Sequence, residues 1–185
     1  KLGLDETRHV SRILVHPKNP DVVYVAAQGA LYAPNADRGV FKSVDGGATW
    51  KKVLYVDPKT GAAELSMDAT NPRILYAAMW EHGRLPWKVI SGGPGSGLYK
   101  STDAGETWTK MTDGLPEKMG KMAVAVSPSN PEKVYALIES DSEGEERGLY
   151  VSTNAGKSWS QVSSNPRLVQ RAWYYIELFV DPKNE

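Results

Sequence analysis

The chain has 185 residues, 41% hydrophobic and 24% charged, which suits one ordinary folded domain and is too apolar for wholesale disorder. Its 22 Lys and Arg balance 22 Asp and Glu, which excludes a nucleic-acid binder relying on a general basic field and a polybasic membrane-surface protein. No apolar run approaches the ~20 residues of a membrane span, and the lack of cysteine excludes disulfide scaffolds, thiolate metal sites and cysteine nucleophiles.

Lys1 stands first and no basic-then-apolar leader follows, so no signal peptide is visible in the sequence. Four short strands are predicted next, over 11–15, 22–27, 40–43 and 49–54, each β-branched or aromatic and bounded by Gly, Pro, Asn or Asp. The same unit then recurs. Asn-Pro turns ending at Pro20, Pro72 and Pro131 stand 52 and 59 residues apart, and Glu185 holds the fourth slot 54 residues on. No segment reads as an amphipathic helix. Repeats of four antiparallel strands stack radially, so the expected fold is all-β, a β-propeller of four-stranded antiparallel blades. The expected blades are about 8–57, 61–115 and 120–164, with a fourth starting at about 172–185, so 1–185 is a partial propeller of three blades plus one strand. Such a ring does not close, since propellers have ~4–8 blades. The remaining blades are expected from a longer chain of the same protein or from a partner subunit.

Each unit carries one further motif. Ser43, Asp45, Gly47 and Trp50 recur as Ser101, Asp103, Gly105 and Trp108, and again as Ser152, Asn154, Gly156 and Trp159. Serine and aspartate side chains accept hydrogen bonds from backbone N–H groups in a tight hairpin, glycine permits a positive φ, and the Trp ring buries beneath. Asn154 makes the same contacts without the charge. One role repeated in every blade does not single out one active site, so these residues are read as a fold staple rather than as catalytic or metal-binding groups.

The spacings sort the connections onto two faces. From proline to the following Tyr is 4 in every unit, and from the third-strand aromatic to the motif Trp is 9. From the second-strand Tyr to that aromatic is 17, 23 and 15, and from Trp to the next proline slot is 22, 23 and 26. All length variation falls on the top face, where loops carry function. There the second unit presents a loop with Trp80, Glu81, His82, Arg84 and Trp87, and the segment into the fourth unit presents Arg171, Trp173, Tyr174 and Tyr175. Aromatic platforms beside Arg, Glu and His suit a sugar ring or an extended peptide, so these nine residues are the candidate ligand-binding set. The alternative is that Trp80 and Trp87 pack over a blade end.

Near the start of each innermost strand, one aligned position holds Arg12, Glu64, Ala123 and Glu177 in an otherwise apolar setting. Glu64 and Glu177 are the candidate catalytic pair, as acid and base in glycoside hydrolysis. The alternative is an Arg–Glu–Glu network hydrating the channel. The glycine-rich stretch 92–97 lacks the Gly-Lys-Ser/Thr ending of a phosphate loop and reads as a flexible loop. The acidic run 141–146 lacks calcium-loop spacing and reads as a solvated hairpin tip. His9, His16 and His82 have no metal-ligand spacing, no Gly-x-Ser-x-Gly elbow is present, and no metal or cofactor is expected.

The Ser-x-Asp-x-Gly-x-Thr-Trp pattern at 43–50 and 101–108 resembles the Asp box, or bacterial neuraminidase repeat. With the Asn-Pro turns and the Trp-Tyr-Tyr segment at 173–175, the whole chain resembles secreted bacterial Asp-box propeller proteins, glycosyl-hydrolase-like or similar to the sortilin N-terminal domain. That resemblance implies an extracytoplasmic location, secreted or periplasmic, and Asp boxes that are structural and lie away from the site. More distantly the chain is similar to sialidases and xyloglucan-active endoglucanases. The arginine triad and Tyr–Glu pair of the former are not matched, nor is the aspartate context of the latter. The resemblance implies a binding or scaffold module for glycan or protein acting through its top face, with a glycoside hydrolase, or a subunit of a larger extracytoplasmic assembly, as alternatives.

Overall fold

The computed structural model describes residues 3–140 and 146–185; Lys1 and all of the acidic run except Glu146 lie outside the described residues. Three antiparallel sheets follow one another along the chain. Blade 1 holds β1 (Val10–Val15), β2 (Val23–Ala27), β3 (Gly39–Ser43) and β4 (Lys51–Leu54), in that spatial order. Blade 2 holds β5 (Thr60–Met67), β6 (Leu75–Leu85), β7 (Lys88–Ser91), β8 (Gly97–Ser101) and β9 (Thr109–Met111), of which β7 pairs with β6 alone. Blade 3 holds β10 (Met122–Val126), β11 (Val134–Ile138), β12 (Gly148–Ser152) and β13 (Ser160–Ser163). The helical turns among the described residues are two short 3-10 segments, Asp5–Thr7 and Pro166–Val169. The chain is therefore an all-β array of propeller blades.

Blade 2 is covered on both faces, so β6 is buried without a break from Leu75 to Trp80 instead of alternating. Leu75, Ala77 and Met79 pack on Tyr24, Ala26 and Val40 of blade 1. Tyr76, Ala78 and Leu98 pack on Val124, Ala136 and Trp159 of blade 3. The outer face of blade 1 lacks such cover, leaving Val10, Ile13 and Val15 exposed.

The structure alters two expectations. Residues 80–88, read as a loop, continue β6 and turn at Pro86 and Trp87 into β7, with Leu85 paired to Lys88. Pro86 lacks an N–H to donate, so the strand ends there and the hairpin juts from the blade. Residues 172–185 form no strand, because the next blade's second strand, to which an innermost strand would pair, is not among the described residues. Ala172, Ile176 and Leu178 nonetheless pack on Ala123, Leu137 and Leu149, the face of blade 3 turned away from blade 2. Leu178 and Val180 share a groove of ≈ 250 Å³ with Arg12, Leu14, Glu64, Leu65 and Val124 of the inner strands.

Candidate functional site

The three Asp boxes lie at the end of the blades where the connections are constant. In the first, Ser43 Oγ accepts from the N–H of Gly47 at 2.8 Å, and Asp45 accepts from the Thr49 N–H at 2.9 Å and hydroxyl at 2.6 Å. The second repeats this with Ser101, Gly105, Asp103 and Thr107. In the third, Asn154 Oδ1 accepts from the Ser158 N–H at 2.9 Å, while its amide donates to Ser158 Oγ at 2.8 Å. Asparagine thus keeps the geometry by reversing one donor. Gly47, Gly105 and Gly156 have φ of 91°, 82° and 82°, as the turn requires. Trp159 is buried, whereas Trp50 and Trp108 are half-buried.

The hydrogen bonds from Thr49 and then Ser43 pull the Asp45 carboxyl down to about 2, and those from Thr107 hold Asp103 further below the ordinary range. A depressed carboxyl stabilises the fold fully above its unfolded value near 4, and that contribution disappears as pH falls through the folded value. We expect the Asp45→Asn, Asp103→Asn double variant to lose less stability than the wild type between pH 5 and pH 2 in denaturant unfolding. Identical pH profiles would contradict the carboxylate role.

At the mouth of the inner groove, Glu64 is 6% exposed and receives Arg12 in a bidentate pair, Nε to Oε1 at 2.5 Å and Nη2 to Oε2 at 2.8 Å. The register of β1 slips between Val10 and Arg12, and that of β5 between Ala62 and Glu64. Each bulge re-aims the next charged side chain, so the two blades present opposite charges to one another. Glu177 is exposed and raises the Arg12 pKa further, after Glu64. Blade 3 brings Lys121 to this region in place of Ala123, which is buried against the 172–178 segment. Burial lowers the Lys121 amine, while Glu139, Glu177 and Glu64 oppose that shift.

The aromatic candidates divide. Trp80 and His82 are 2% and 4% exposed and stack with ring centroids 4.3 Å apart, and Trp173 meets Trp80 edge-on at 4.7 Å. Trp80 Nε1 donates to Ser91 Oγ at 3.1 Å, the Ser91 hydroxyl donates to Glu139, and Lys121 Nζ donates to the Trp173 carbonyl at 3.1 Å. Burial, and next the Arg38 charge, push the His82 ring down to about 4, so it is neutral at ordinary pH. Glu81 accepts from the Gly95 N–H at 3.1 Å, and its own N–H donates to Ser96. The stretch 92–97, read as flexible, is thereby pinned to β6, with Gly95 to Gly97 buried. Trp87, by contrast, is 80% exposed at the hairpin tip, and Tyr175 is 71% exposed. Tyr174 is held by Arg84, whose Nη1 donates to its hydroxyl at 3.0 Å, and Arg171 is exposed with φ 60°.

Four contributors were not singled out from sequence: Arg38, Tyr32, Lys121 and Glu139. Arg38 is 1% exposed and donates to the carbonyls of Ala30 at 2.5 Å, Lys59 at 2.7 Å and Ala33 at 3.2 Å, and to Asn35 Oδ1 at 3.1 Å. Carbonyl oxygens hold its charge, and through them it fastens the blade 1 top loop against blade 2. Beside it lies a groove of ≈ 200 Å³ lined by Leu31, Tyr32, Pro34, Arg84, Leu85 and Ile90, with Arg38 and His82 also in its lining. The signal for Arg38 was its slot before the third-strand glycine, which Arg147 repeats in blade 3. For Tyr32 it was its place in a top-face loop.

The family model for the BNR/Asp-box repeat matches residues 99–110, within the second blade. The chain is 26% identical over 189 positions to Xyloglucanase Xgh74A of Acetivibrio thermocellus, covering 85% of this chain and 20% of that protein. It is 30% identical over 159 positions to the oligoxyloglucan-reducing end-specific xyloglucanase of Emericella nidulans, covering 83% and 18%. The chain therefore spans about a fifth of the length of these relatives. Among solved structures, the GH74 xyloglucanase from Xanthomonas campestris superposes with a TM-score of 0.61 at 18% identity, over 82% of this chain and 21% of that one. The structural likeness is one of fold. The chain carries Asp-box repeats on propeller blades and is glycoside-hydrolase-like. No helix among the described residues is long and apolar enough to cross a membrane.

Proposed function

We propose that these blades bind a glycan, of the β-linked, branched xyloglucan kind, across the groove between Tyr32, Arg84 and the Trp87 hairpin. The observation that carries this reading is a set of exposed aromatic side chains at the variable-loop end: Tyr32, 75% exposed, lines the groove with Arg84, which holds Tyr174 (55%) with Tyr175 (71%) beside it, and Trp87 (80%) tips the hairpin that follows the groove-lining Leu85. Large exposed apolar groups gathered at one place mark an interaction surface, and flat rings beside polar Arg84 and Glu81 suit the apolar faces and hydroxyls of sugars. The names of the relatives supply the glycan class, and a polymeric glycan target goes with a secreted or periplasmic place of action. Trp80, His82 and Trp173 support the surface from beneath, and Arg171 and Tyr175 extend it.

The test is calorimetric titration of the full-length protein with a xyloglucan oligosaccharide. The Trp87→Ala, Tyr175→Ala double variant is expected to bind about 10-fold or more weakly, in line with losing two interface aromatics, with an unchanged unfolding midpoint. Unchanged affinity, or no binding by the wild type, would overturn the reading.

The second reading is hydrolysis, favoured by the xyloglucanase names of the relatives and by the exposed Glu177 carboxylate, which precedes the groove-lining Leu178 and acts on the charge of Arg12. In it Glu177 serves as the acid–base group, because both Glu64 carboxylate oxygens are engaged by Arg12 and Glu177 is exposed. Sugar release by the full-length protein that falls at least 100-fold in Glu177→Gln, within the usual span for an acid–base group, is its expected result. Unchanged release in that variant removes Glu177 from the chemistry.

A further inference from the structure

Both interfaces between blades use the same latch. Tyr24 and Lys42 are cross-strand partners on β2 and β3, and both donate to one acceptor on blade 2: the Tyr24 hydroxyl and Lys42 Nζ each lie 2.8 Å from the Ala104 carbonyl oxygen. One blade on, Tyr76 and Lys100 are partners on β6 and β8, and they donate to the Ala155 carbonyl at 3.1 and 2.6 Å. The acceptor is the same Asp-box residue each time, held at positive φ (63° and 56°). The tyrosine ring sits on the glycine that follows it. A Cβ on Gly105 would lie 3.2 Å from Tyr24 Cε1, and one on Gly156 would lie 3.2 Å from Tyr76 Cε1.

Blade 1 carries the receiving half of this latch on its outer face. Gly46 (φ 68°) stands where Ala104 and Ala155 stand, and Gly47 where Gly105 and Gly156 stand. With Val23 in the place of Leu75, and Trp50 in that of Trp108, they line an apolar socket of ≈ 280 Å³. Val10 and Ile13 also line it and are 45% and 60% exposed, while Leu4 packs over one side. In Gly46, Gly47, Val23 and Trp50 the socket corresponds to the places that Tyr24 and Tyr76 fill.

We infer that this socket receives the second-strand tyrosine of a preceding Asp-box blade belonging to the same natural polypeptide. The hydroxyl of that tyrosine, and a third-strand lysine beside it, donate to the Gly46 carbonyl. A second copy of this chain fits less well. The free face of its blade 3 offers Tyr135 opposite Val151, which has no ammonium to donate, and that face already holds Val169, Ala172 and Ile176. Relatives about five times longer than this chain accord with a blade from the same polypeptide. The inference stands apart from the glycan reading, since the socket is at the Asp-box side of an outer blade face and shares no residue with the top-face groove.

The test uses the full-length protein made from its natural gene, with photoreactive benzoylphenylalanine at position 13 and, separately, at position 10. The expected result is a crosslink within one chain, mapped by mass spectrometry to a repeat that has a second-strand Tyr and a third-strand Lys. In that repeat, Tyr→Phe with Lys→Met is expected to lower the unfolding midpoint by several degrees. A crosslinked species at twice the chain mass, one with another protein, or none at either position would overturn the inference. The unmodified protein gives a second readout by hydroxyl-radical footprinting. Val10 and Ile13 are expected to be protected relative to the exposed Leu85 and Val89, and oxidation at equal rates would equally overturn it.

Discussion

Replacing Arg38 with methionine is expected to destabilise the fold by about 3 kcal/mol, the upper scale for losing hydrogen bonds made by a buried charged group. The carbonyls of Ala30, Ala33 and Lys59 lose the donor they share, a guanidinium that is itself 1% exposed. Lysine does not restore the site, because a single ammonium cannot span carbonyls that the planar guanidinium reaches from two nitrogens. Denaturant unfolding is expected to give a reduced midpoint with an unchanged slope for Arg38→Met, and an intermediate value for Arg38→Lys. The same substitutions free the loop bearing Tyr32, so affinity for a xyloglucan oligosaccharide falls with stability. Wild-type stability in Arg38→Met would show that the loop is held by other contacts.

The second large effect concerns Glu64. Removing one partner of a buried ion pair strands the other charge, whereas replacing both by apolar groups is often neutral. Glu64→Leu is therefore expected to cost about 2 kcal/mol, below the ~3–5 kcal/mol of fully buried pairs, because the Arg12 side chain is 30% exposed and rehydrates in part. Adding Arg12→Met is expected to recover most of the loss. That cycle separates a structural role from a catalytic one: if the double variant regains stability and also retains any sugar release, Glu64 is a positioning residue for the groove mouth. If stability returns while release stays lost, Glu64 takes part in the chemistry.

The repeat architecture was legible because its signals are local. The Asp-box residues satisfy one another within a single hairpin, and the fixed spacings of 4 and 9 follow from turns that tolerate no insertion. The innermost strands could likewise be aligned across units, and the groove shared by Arg12, Glu64 and Leu178 joins them. What stayed hidden depended on contacts distant in sequence. A β-bulge adds a residue to one strand only, and here it falls outside the fixed spacings of 4 and 9, so the slips before Arg12 and Glu64 that create their pairing left no mark there. A lone arginine ordinarily reads as exposed, and only the fold shows the carbonyls converging on Arg38. The aromatic set looked uniform in sequence, but β6 continues past Trp80. It thereby buries Trp80 and His82 in the blade end and carries Trp87 out to the hairpin tip.

The most direct measurement is hydrogen–deuterium exchange of the full-length protein with and without a saturating xyloglucan oligosaccharide. Protection is expected over residues 29–35, 81–91 and 173–176, the segments that carry Tyr32, Arg84, the Trp87 hairpin and the two tyrosines, while the three Asp-box hairpins exchange as before. Protection confined to the Asp-box end, or no change anywhere under saturating sugar, would contradict a glycan-binding top face.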